Sequence, residues 1–372
     1  MRLLIEKSAL LKALQHVTSV VERRNTIPIL ANVSLRAEAG MLHFKATDLD
    51  IEVTETAQAE VAAPGGTTAP AHTLHDIVRK LPEGSQIEVS RQGDEGRMAL
   101  TAGPSRFLLA CLPADDFPDL GLSGMSHRFE LPARDLARLI EKTRFAISTE
   151  ETRYYLNGIY LHAAETPEGW RLRAVATDGH RLARMDVDLP EGGGGMPGVI
   201  VPRKTVHEVA KLLTDHNETV AVELSANKIR FTAGNVVLTS KLIDGTFPNY
   251  QQVIPQGNDR ILQVENAAFI SAVDRVSTLS SEKGRAVKLN IAGGKLVLSV
   301  NNPDSGSATE ELEAEYAAEP MEIGFNARYL LDISAQFEGD RAVFKLSDAS
   351  APTVMQDEKD ASALYVLMPM RV

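Results

Sequence analysis

Residues 176–182 carry the side chains of this chain whose types and spacing could do chemistry. Asp178 and His180 stand two positions apart, and such a pair could transfer protons or bind a metal ion. A similar segment, 46–51, keeps the Thr-Asp pair but has no histidine. We therefore interpret Thr-Asp as a turn whose aspartate accepts hydrogen bonds from backbone N–H groups. His180 and Arg181 are then extra features of a binding surface, and an enzyme that uses Asp178 and His180 remains the alternative.

Other motifs of enzymes and of metal or nucleotide sites are missing from the sequence. No GxxxxGK[ST], HExxH, CxxC or GxSxG pattern occurs. Residues 193–198 match GxGxxG, but the apolar residues 199–201 predict a strand where a dinucleotide site needs a helix. The single cysteine, Cys111, lies in an apolar run, which favours a buried strand residue over a catalytic thiol. We therefore predict a protein that is not an enzyme and that holds no metal ion and no cofactor.

The bulk composition predicts the cellular compartment of the protein. Hydrophobic residues make up 44% of the chain and charged residues 24%, proportions that are typical of a globular protein with buried cores. One cysteine cannot form an internal disulfide, which fits a reducing compartment. No stretch approaches the ~20 apolar residues of a membrane helix, and residues 1–14 lack the features of a secretory signal. We expect a cytoplasmic protein without a membrane partner.

One pattern of segments occurs three times along the chain. Each copy is predicted to run from a strand into a helix, through alternating strands, into a second helix and back into strands. The recurring segments are 42–48, 172–178 and 296–302, then 73–81, 205–213 and 328–336, and finally 116–120 and 246–250. The repeat predicts an α+β fold of three similar domains, 1–126, 127–254 and 255–372, with antiparallel sheets on one side and helices on the other.

Charge is distributed unevenly between the predicted helices and strands. The chain has a formal net charge of −11, which argues against general attraction to polyanions. The predicted helices of the first two copies are nevertheless net positive, whereas residues 296–327 contain seven acids and no lysine or arginine. Helices tolerate glutamate as well as lysine, so helix propensity does not explain the difference. Helices that faced one way would therefore attract phosphates.

Several long motifs, spread in order over the whole chain, carry a family resemblance. They occupy residues 26–32, 116–118, 153–158, 176–183, 244–248, 322–326 and 365–372. On these motifs the chain resembles the bacterial β sliding clamps, the β subunits of DNA polymerase III. The resemblance implies the DNA clamp fold, in which two chains form a head-to-tail, ring-shaped homodimer of six similar domains with helices inside and antiparallel sheets outside. It implies a processivity factor that encircles duplex DNA and tethers replication and repair proteins.

The packing of helices favours a ring of two chains over a ring of one. Helices pack roughly 8–10 Å apart, so twelve of them side by side form a circle about 31–38 Å across. Removing about one helix diameter, ~10 Å, leaves a hole of ~20–28 Å, wide enough for a duplex. The six helices of a single chain would leave a hole of less than ~10 Å.

DNA contacts are expected from cations on or near helices. Arg24 matches a position that the family uses to touch DNA, whereas a second such position is Glu150 here, whose carboxylate would repel phosphate. The expected DNA-facing residues are Lys12, Arg23, Arg24, Arg138, Lys142 and Lys211. A sliding ring needs few such contacts, held weakly, and each adds affinity that salt reduces. A protein-binding scaffold without a DNA role remains a further alternative.

The resemblance also implies a pocket between the second and third copies that binds short peptides rich in Gln, Leu and Phe. The replicative polymerase subunit, the clamp loader, other polymerases and repair proteins would dock through it. The matching positions are Leu156, Thr177, Gly179, His180, Arg181, Leu182, Pro248, Val253, Asn326, Tyr329, Val366, Met368, Pro369, Met370 and Arg371. Their apolar members would form a cup that polar groups border, and methionine suits a site with many partners. Gln252 and Pro352 replace a basic residue and a serine of the family at its edge.

An apolar patch is expected to join the two chains. In the family, residues of the first copy pair with the third copy of the other chain, and Phe107, Leu109 and Leu279 match that patch. Thr278 replaces an apolar residue there. Because burying a hydroxyl in an apolar interface is unfavourable, we expect this ring to open more easily.

Overall fold

Strands and helices follow one another in the same order in each third of the chain. The computed structural model describes residues 1–91, 96–121, 124–215, 218–280 and 285–371. Each third of the chain begins with a strand and a helix, continues through further strands to a second helix and ends with three strands. The predicted order of segments is confirmed. All strand pairs among the described residues are antiparallel, as the predicted α+β fold requires.

The bounds of the elements follow the three copies. The elements of the first copy are β1 (Arg2–Glu6), α1 (Lys7–Thr18), β2 (Asn32–Glu38), β3 (Met41–Thr47), β4 (Ile51–Gln58), β5 (Glu60–Ala63), β6 (Gly65–Pro70), α2 (Ala71–Lys80), β7 (Gln86–Ser90), β8 (Arg97–Ala102) and β9 (Ser105–Ala110). Those of the second are β10 (His127–Pro132), α3 (Ala133–Glu141), β11 (Gly158–Thr166), β12 (Gly169–Thr177), β13 (Arg181–Asp188), β14 (Val199–Pro202), α4 (Arg203–Thr214), β15 (Thr219–Leu224), β16 (Lys228–Ala233) and β17 (Val236–Lys241). Those of the third are β18 (Arg260–Glu265), α5 (Asn266–Ser277), β19 (Ala286–Ala292), β20 (Lys295–Asn302), β21 (Gly306–Tyr316), β22 (Met321–Asn326), α6 (Ala327–Ser334), β23 (Arg341–Leu346), β24 (Thr353–Asp357) and β25 (Asp360–Leu367).

The strands belong to two compact units that do not coincide with the three copies. The first unit comprises Met1–Leu136, Pro190–Gly193 and Lys204–Leu242. It holds a five-stranded sheet in the order β5-β1-β7-β8-β9 and an eight-stranded sheet in the order β10-β15-β16-β17-β4-β3-β2-β6. The second unit comprises Ala137–Leu189, Gly194–Arg203 and Ile243–Val372. Its twelve strands follow the order β14-β11-β12-β13-β25-β24-β23-β18-β21-β20-β19-β22.

The middle copy is shared between the two units. Its strands β10 and β15–β17 extend a sheet of the first copy, where β17 pairs with β4 from Val236↔Glu55 to Ser240↔Ile51. Its strands β11–β14 extend the sheet of the third copy, where β13 pairs with β25. An open sheet edge exposes a row of unpaired N–H and C=O groups. The strands of the middle copy pair with such edges of the first and third copies and so satisfy these groups.

Helix α1 illustrates how the sequence pattern produces these layers. Its apolar residues Leu10, Leu14 and Val17 stand three or four apart and are buried on one face. That face packs against α2, β3 and β4. In β3 the alternate residues Leu42 and Phe44 are buried, as the two-residue period of a strand requires. No helix among the described residues is long and apolar enough to cross a membrane.

A histidine between two carboxylates fastens the first copy to the middle copy inside the first unit. His16 of α1 is 11% exposed, and its Nδ1 lies 2.8 Å from Oε2 of Glu55 on β4. Its Nε2 lies 3.2 Å from Oδ2 of Asp215, which follows α4. The hydrogen bond to Glu55 is the largest cause that raises the pKa of His16 above its ordinary 6.5, against the opposing effect of burial. The imidazolium form donates to both carboxylates.

We expect the substitution His16→Gln to lower the melting temperature more at pH 6 than at pH 8.5. A raised pKa in the folded state contributes stability that is fully present below pH 6.5 and is lost as the pH rises through the folded-state pKa. Hydrogen bonds to charged groups contribute about 1.5–3 kcal/mol, which sets the size of the loss at pH 6. Thermal unfolding followed by circular dichroism measures it.

His43→Gln is the matched control, because His43 is a more exposed histidine that lies 3.8 Å from Glu38. We expect this variant to melt close to the wild type at both pH values. Equal losses for His16→Gln at pH 6 and pH 8.5 would contradict the role of its charge.

Candidate functional site

A tight turn joins β12 to β13 at the Thr-Asp pair. Thr177 Oγ1 donates to the carbonyl oxygen of Arg181 at 2.7 Å and accepts from the Gly179 N–H at 3.1 Å. Asp178 Oδ1 accepts from the backbone N–H groups of His180 and Arg181 at 2.9 and 3.0 Å. Gly179 has a φ of +89°, a conformation that side chains disfavour. The predicted turn chemistry is confirmed, and this carboxylate oxygen is committed to the backbone.

The first copy repeats this turn between β3 and β4. Thr47 Oγ1 donates to the carbonyl oxygen of Ile51 at 2.7 Å and accepts from the Leu49 N–H at 3.0 Å. Asp48 Oδ1 accepts from the N–H groups of Asp50 and Ile51 at 2.9 and 2.7 Å. The same bonds form without a histidine, so the Thr-Asp pair is structural in both copies.

The guanidinium of Arg181 is occupied by contacts inside the protein. Its side chain is 8% exposed, and Nε donates to Asp178 Oδ2 at 3.1 Å. Nη1 donates to Asp332 Oδ2 at 2.6 Å and Nη2 to the carbonyl oxygen of Phe145 at 2.7 Å. The same group lies 4.2 Å from the centroid of the Tyr329 ring. Arg181, which is expected to line the pocket, also holds the turn and α6 in place.

Apolar residues from several elements form one cluster beside this turn, which we call the cup. Its buried members are Leu156, Val175, Leu182, Ile200, Phe247, Tyr250, Ile254 and Val366. Leu182 and Val366 stand opposite each other in the β13–β25 ladder. Val253 and Met368, neighbours of the cup in the chain, remain 51% and 41% exposed, and Pro248 is exposed as well. The chain therefore presents apolar surface to solvent at this place, which is typical of a binding site.

Five members of the cup were not expected from the sequence. They are Val175, Ile200, Phe247, Tyr250 and Ile254. Phe247 belongs to a Phe-Pro pair that recurs at residues 117–118, so the repeat was a signal for it. Ile200 gave no such signal, because its place depends on the pairing of β14 with β11. Tyr250 likewise depends on the short 3-10 helix Tyr250–Val253.

The C-terminal residues return to the cup through backbone hydrogen bonds. The Met368 N–H donates to the carbonyl oxygen of His180 at 2.9 Å, and the Met370 N–H to that of Gly324 at 2.8 Å. His180 is exposed, and its ring lies 6.5 Å from that of Tyr329. The expected residues of the turn, of α6 and of the chain end are thus brought together, although Val372 lies outside the described residues.

Two of the edge residues have roles in the fold. Asn326 caps α6, because its Oδ1 accepts from the backbone N–H groups of Arg328 and Tyr329 at 2.9 and 3.4 Å. The carbonyl oxygen of Pro352 accepts from Asn258 Nδ2 at 2.9 Å. The amide oxygen of Asn326 is therefore engaged before any ligand arrives.

Four of the six cations expected to face DNA are exposed. Lys12, Arg23 and Arg24 lie on α1 and in the loop that follows it, with their side chains in solvent. Lys211 on α4 is 51% exposed, and its ammonium lies 3.0 Å from Glu208 Oε1. Exposed ion pairs contribute little stability, so a phosphate could compete for this ammonium.

The other two expected cations form ion pairs within the second unit, and the Arg138 side chain is 43% exposed whereas that of Lys142 is buried. Arg138 Nη2 lies 2.7 Å from Asp360 Oδ2. Lys142 is 7% exposed, and its ammonium donates to Glu338 Oε1 at 2.6 Å and to the carbonyl oxygen of Gln336. Withdrawing a buried ammonium from such partners is costly. Lys142 is therefore not available to phosphate, which corrects the expectation from the sequence.

Glu150 keeps its negative charge at the surface. Both of its carboxylate oxygens accept from Arg153, at 2.8 and 2.6 Å. The hydrogen bond to Arg153 is the largest cause that holds the pKa of Glu150 below its ordinary value. The pair presents both charges side by side, so Arg153 offsets part of the repulsion that Glu150 would exert on phosphate.

The residues expected at the junction between chains lie at sheet and helix ends. β9 is the outermost strand of the five-stranded sheet, and its Phe107 and Leu109 are partly and nearly fully buried. Leu108 between them is 59% exposed. Thr278 is exposed directly after α5, and Leu279 is half-buried.

The described residues include no group of three or more His, Cys, Asp or Glu side chains that could hold a metal ion. Cys111 is half-buried, and burial is the largest cause that raises the pKa of its thiol above 9.0. A thiol with a raised pKa yields little of the nucleophilic thiolate at neutral pH.

Models of one protein family match the chain three times, in order. The N-terminal domain of the DNA polymerase III beta subunit matches residues 1–121, its central domain 130–249 and its C-terminal domain 251–371. The beta sliding clamp of Caulobacter vibrioides is 54% identical over 372 residues, and the match covers all of both chains. That of Escherichia coli K12 is 39% identical over 375 residues, again over all of both chains.

Solved structures give the same result. The crystal structure of a sliding clamp from Bartonella birtlesii, a DNA polymerase III subunit beta bound to griselimycin, has a TM-score of 0.97 and 55% sequence identity to this chain. The match covers 100% of both chains.

We expect Arg181→Ala to destabilise the protein by about 2–4 kcal/mol, because Asp178 and Asp332 both lose the guanidinium that donates to them. His180→Ala, at the exposed neighbouring position, should cost no more than about 0.5 kcal/mol. Urea unfolding followed by fluorescence measures both values. Equal effects of the two substitutions would contradict the structural role of Arg181.

Proposed function

Since this chain belongs to the family of DNA polymerase III beta subunits, the sliding clamps, we propose that two copies of it close head to tail around duplex DNA. The chain is a processivity factor rather than an enzyme. The threefold repeat of one order of elements carries the proposal, since two such chains supply six similar domains. We propose 1–126, 127–254 and 255–372 as the bounds of the three domains.

Two sheet edges are proposed to join the chains. β9 is the outermost strand of its sheet. In β21, Gly306–Glu313 pair with β20, whereas β18 pairs only with residues 314–316. Pairing these edges between two chains would satisfy their open N–H and C=O groups. Phe107 and Leu109 would meet Leu279 of the other copy and add an apolar contact.

Exposed cations are proposed to hold the duplex loosely. Lys12, Arg23, Arg24 and Lys211 supply point charges that suit phosphate oxygens, and nothing in this set reads base edges. Few contacts of this kind give weak, salt-dependent attraction, which permits sliding. Retention on DNA then depends on the closed ring and not on affinity.

The cup is proposed as the docking site of client proteins. Its buried apolar floor and its exposed rim of Pro248, Val253 and Met368 suit the Leu and Phe side chains of short peptides. The proposed clients are the replicative polymerase, the clamp loader, other polymerases and repair proteins. We place this activity in the cytoplasm.

After enzymatic loading, the protein should remain on a closed circular duplex and be lost from the same duplex cut once. A ring leaves DNA only over an end, whereas phosphate attraction is equal on both substrates. Gel filtration of the labelled protein with each DNA measures retention. Equal retention on both DNAs that depended only on the salt concentration would contradict encirclement.

The double variant Arg23→Glu, Arg24→Glu should reduce loading onto DNA while leaving peptide binding unchanged.

Val253→Asp should weaken binding of a Gln/Leu/Phe peptide at least tenfold, because it places a charge on the exposed rim of the cup. Gln251→Asp adds the same charge two residues away, at another exposed position of the same 3-10 helix, and is the matched control. Fluorescence polarisation of a labelled peptide measures both. Similar losses for the two variants would remove the cup from the proposal.

Thr278→Ile should slow dissociation of the dimer by roughly three- to tenfold, because it removes a hydroxyl and adds apolar area at the proposed junction. Thr278→Ser keeps the hydroxyl, which donates to the carbonyl oxygen of Asp274, and serves as control. Subunit exchange between labelled and unlabelled protein gives the rates. Unchanged exchange in Thr278→Ile would place Thr278 outside the junction.

A further inference from the structure

The face of the sheet that carries the cup continues along the strands into a charged groove. Successive side chains of a strand alternate between faces, so Arg184 lies on the same face as Leu182 of the cup. In the ladders, Arg184 stands opposite Val175 of β12 on one side and Leu364 of β25 on the other. Val175 is a buried member of the cup, and Leu364 packs against it. Arg184 is therefore the first polar side chain beyond the apolar floor.

A cavity of about 530 Å³ opens at this place. Its lining includes Arg171, Arg173, Arg184 and Asp186 from β12 and β13. Tyr250 connects the cavity to the cup, because its ring belongs to the cup while its hydroxyl accepts from Arg173 Nη1 at 3.1 Å. The apolar and charged regions thus form one continuous surface.

The arginines at this cavity are unequally neutralised. Arg173 forms two hydrogen bonds of 2.7 Å with the carboxylate of Asp186, and Arg171 pairs with Asp188. Arg184 Nε lies 4.0 Å from an Asp186 oxygen that Arg173 already holds. Within the part of the chain that the structure describes, this buried Nε has no hydrogen-bond partner. The carboxylate of Asp186 is therefore the acidic partner of both Arg173 and Arg184.

The environment of Arg184 penalises its unbalanced charge. Burial is the largest cause that lowers the pKa of its guanidinium; the charge of Asp186 opposes this effect, and the charge of Arg173 adds to it. Glu165 near the end of β11 and Glu168 on the turn that follows also line the cavity, but both are exposed. The Arg184 side chain is 21% exposed and lines the cavity, so a ligand that brought a carboxylate there would give this guanidinium a second acidic partner in a charge-assisted hydrogen bond.

We propose that Arg184 and its cavity form an accessory subsite that binds an acidic side chain of a client peptide whose apolar residues occupy the cup. This inference rests on the proposed docking of clients at the cup. Arg184 is two residues along β13 from Leu182, a separation of about 7 Å, so an extended peptide reaches it about two residues from its apolar anchor. The subsite makes acidic residues flanking the apolar motif a determinant of client preference.

The test compares labelled nine-residue peptides that share a core drawn from Gln, Leu and Phe. One series carries a single Asp at each flanking position in turn, and the other carries Asn at the same positions. Fluorescence polarisation with the wild-type protein should show a five- to twentyfold preference for Asp over Asn at one or two positions. The preference should decline with added salt.

Arg184→Gln should remove this preference while leaving the affinity for the Asn peptides within about twofold. Arg341→Gln is the matched control, because it removes one exposed arginine of the same unit, paired with Glu315. It should keep the preference, which excludes an effect of net charge.

Each result bears on a separate claim. The subsite is overturned if the Asn peptides bind but Asp is preferred at no flanking position. It is also overturned if the preference for Asp survives in Arg184→Gln. Either result would leave the cup intact. Failure of every peptide to bind wild-type protein would instead overturn the docking function itself. The Asp and Asn comparison uses wild-type protein, so it decides the matter even if Arg184→Gln does not fold.

Discussion

The β13–β25 ladder is the interaction on which the cup and the charged groove beside it depend. It sets Leu182 against Val366 and Arg184 against Leu364, and it ends where Arg181 meets Leu367. A shift of one residue would turn every one of these side chains to the opposite face of the sheet. The register of this one ladder therefore determines three features. They are the apolar floor, the charged groove beyond it and the return of the chain end to the cup.

The β4–β17 ladder of the first unit has the same backbone arrangement as the β13–β25 ladder but carries different side chains. Glu52 occupies the position that Leu182 has in the second copy, and it stands opposite Thr239, where the second unit has Val366. Glu52 is 4% exposed and accepts from the Leu120 N–H at 3.2 Å, while burial raises its pKa. A polar contact that secures the connecting segment replaces the apolar floor, so the repeat preserves the turn and the pairing but not the cup.

Local patterns were sufficient for the order of elements and for the Thr-Asp turn, because short-range spacing and side-chain hydrogen bonds determine both. The internal bonds of Arg181 and the burial of Lys142 were not predicted, because the carboxylates that hold these side chains come from residues far along the chain, such as Asp332 and Glu338. Tyr250 was missed for the same reason, since its burial depends on strands on either side of it in the sequence. The sharing of the middle copy between two compact units likewise required knowledge of which edges pair.

The position of β25 in the chain has a consequence for biosynthesis. β13 is complete by residue 188, but its partner is the final strand of the second unit, residues 360–367. Until that strand has been translated, β13 is an open edge, and distant strand pairing of this kind is slow and prone to aggregation. A chain that ends before residue 360 therefore lacks Val366 and the ladder partner of Leu182, so the cup is incomplete until β25 has been made.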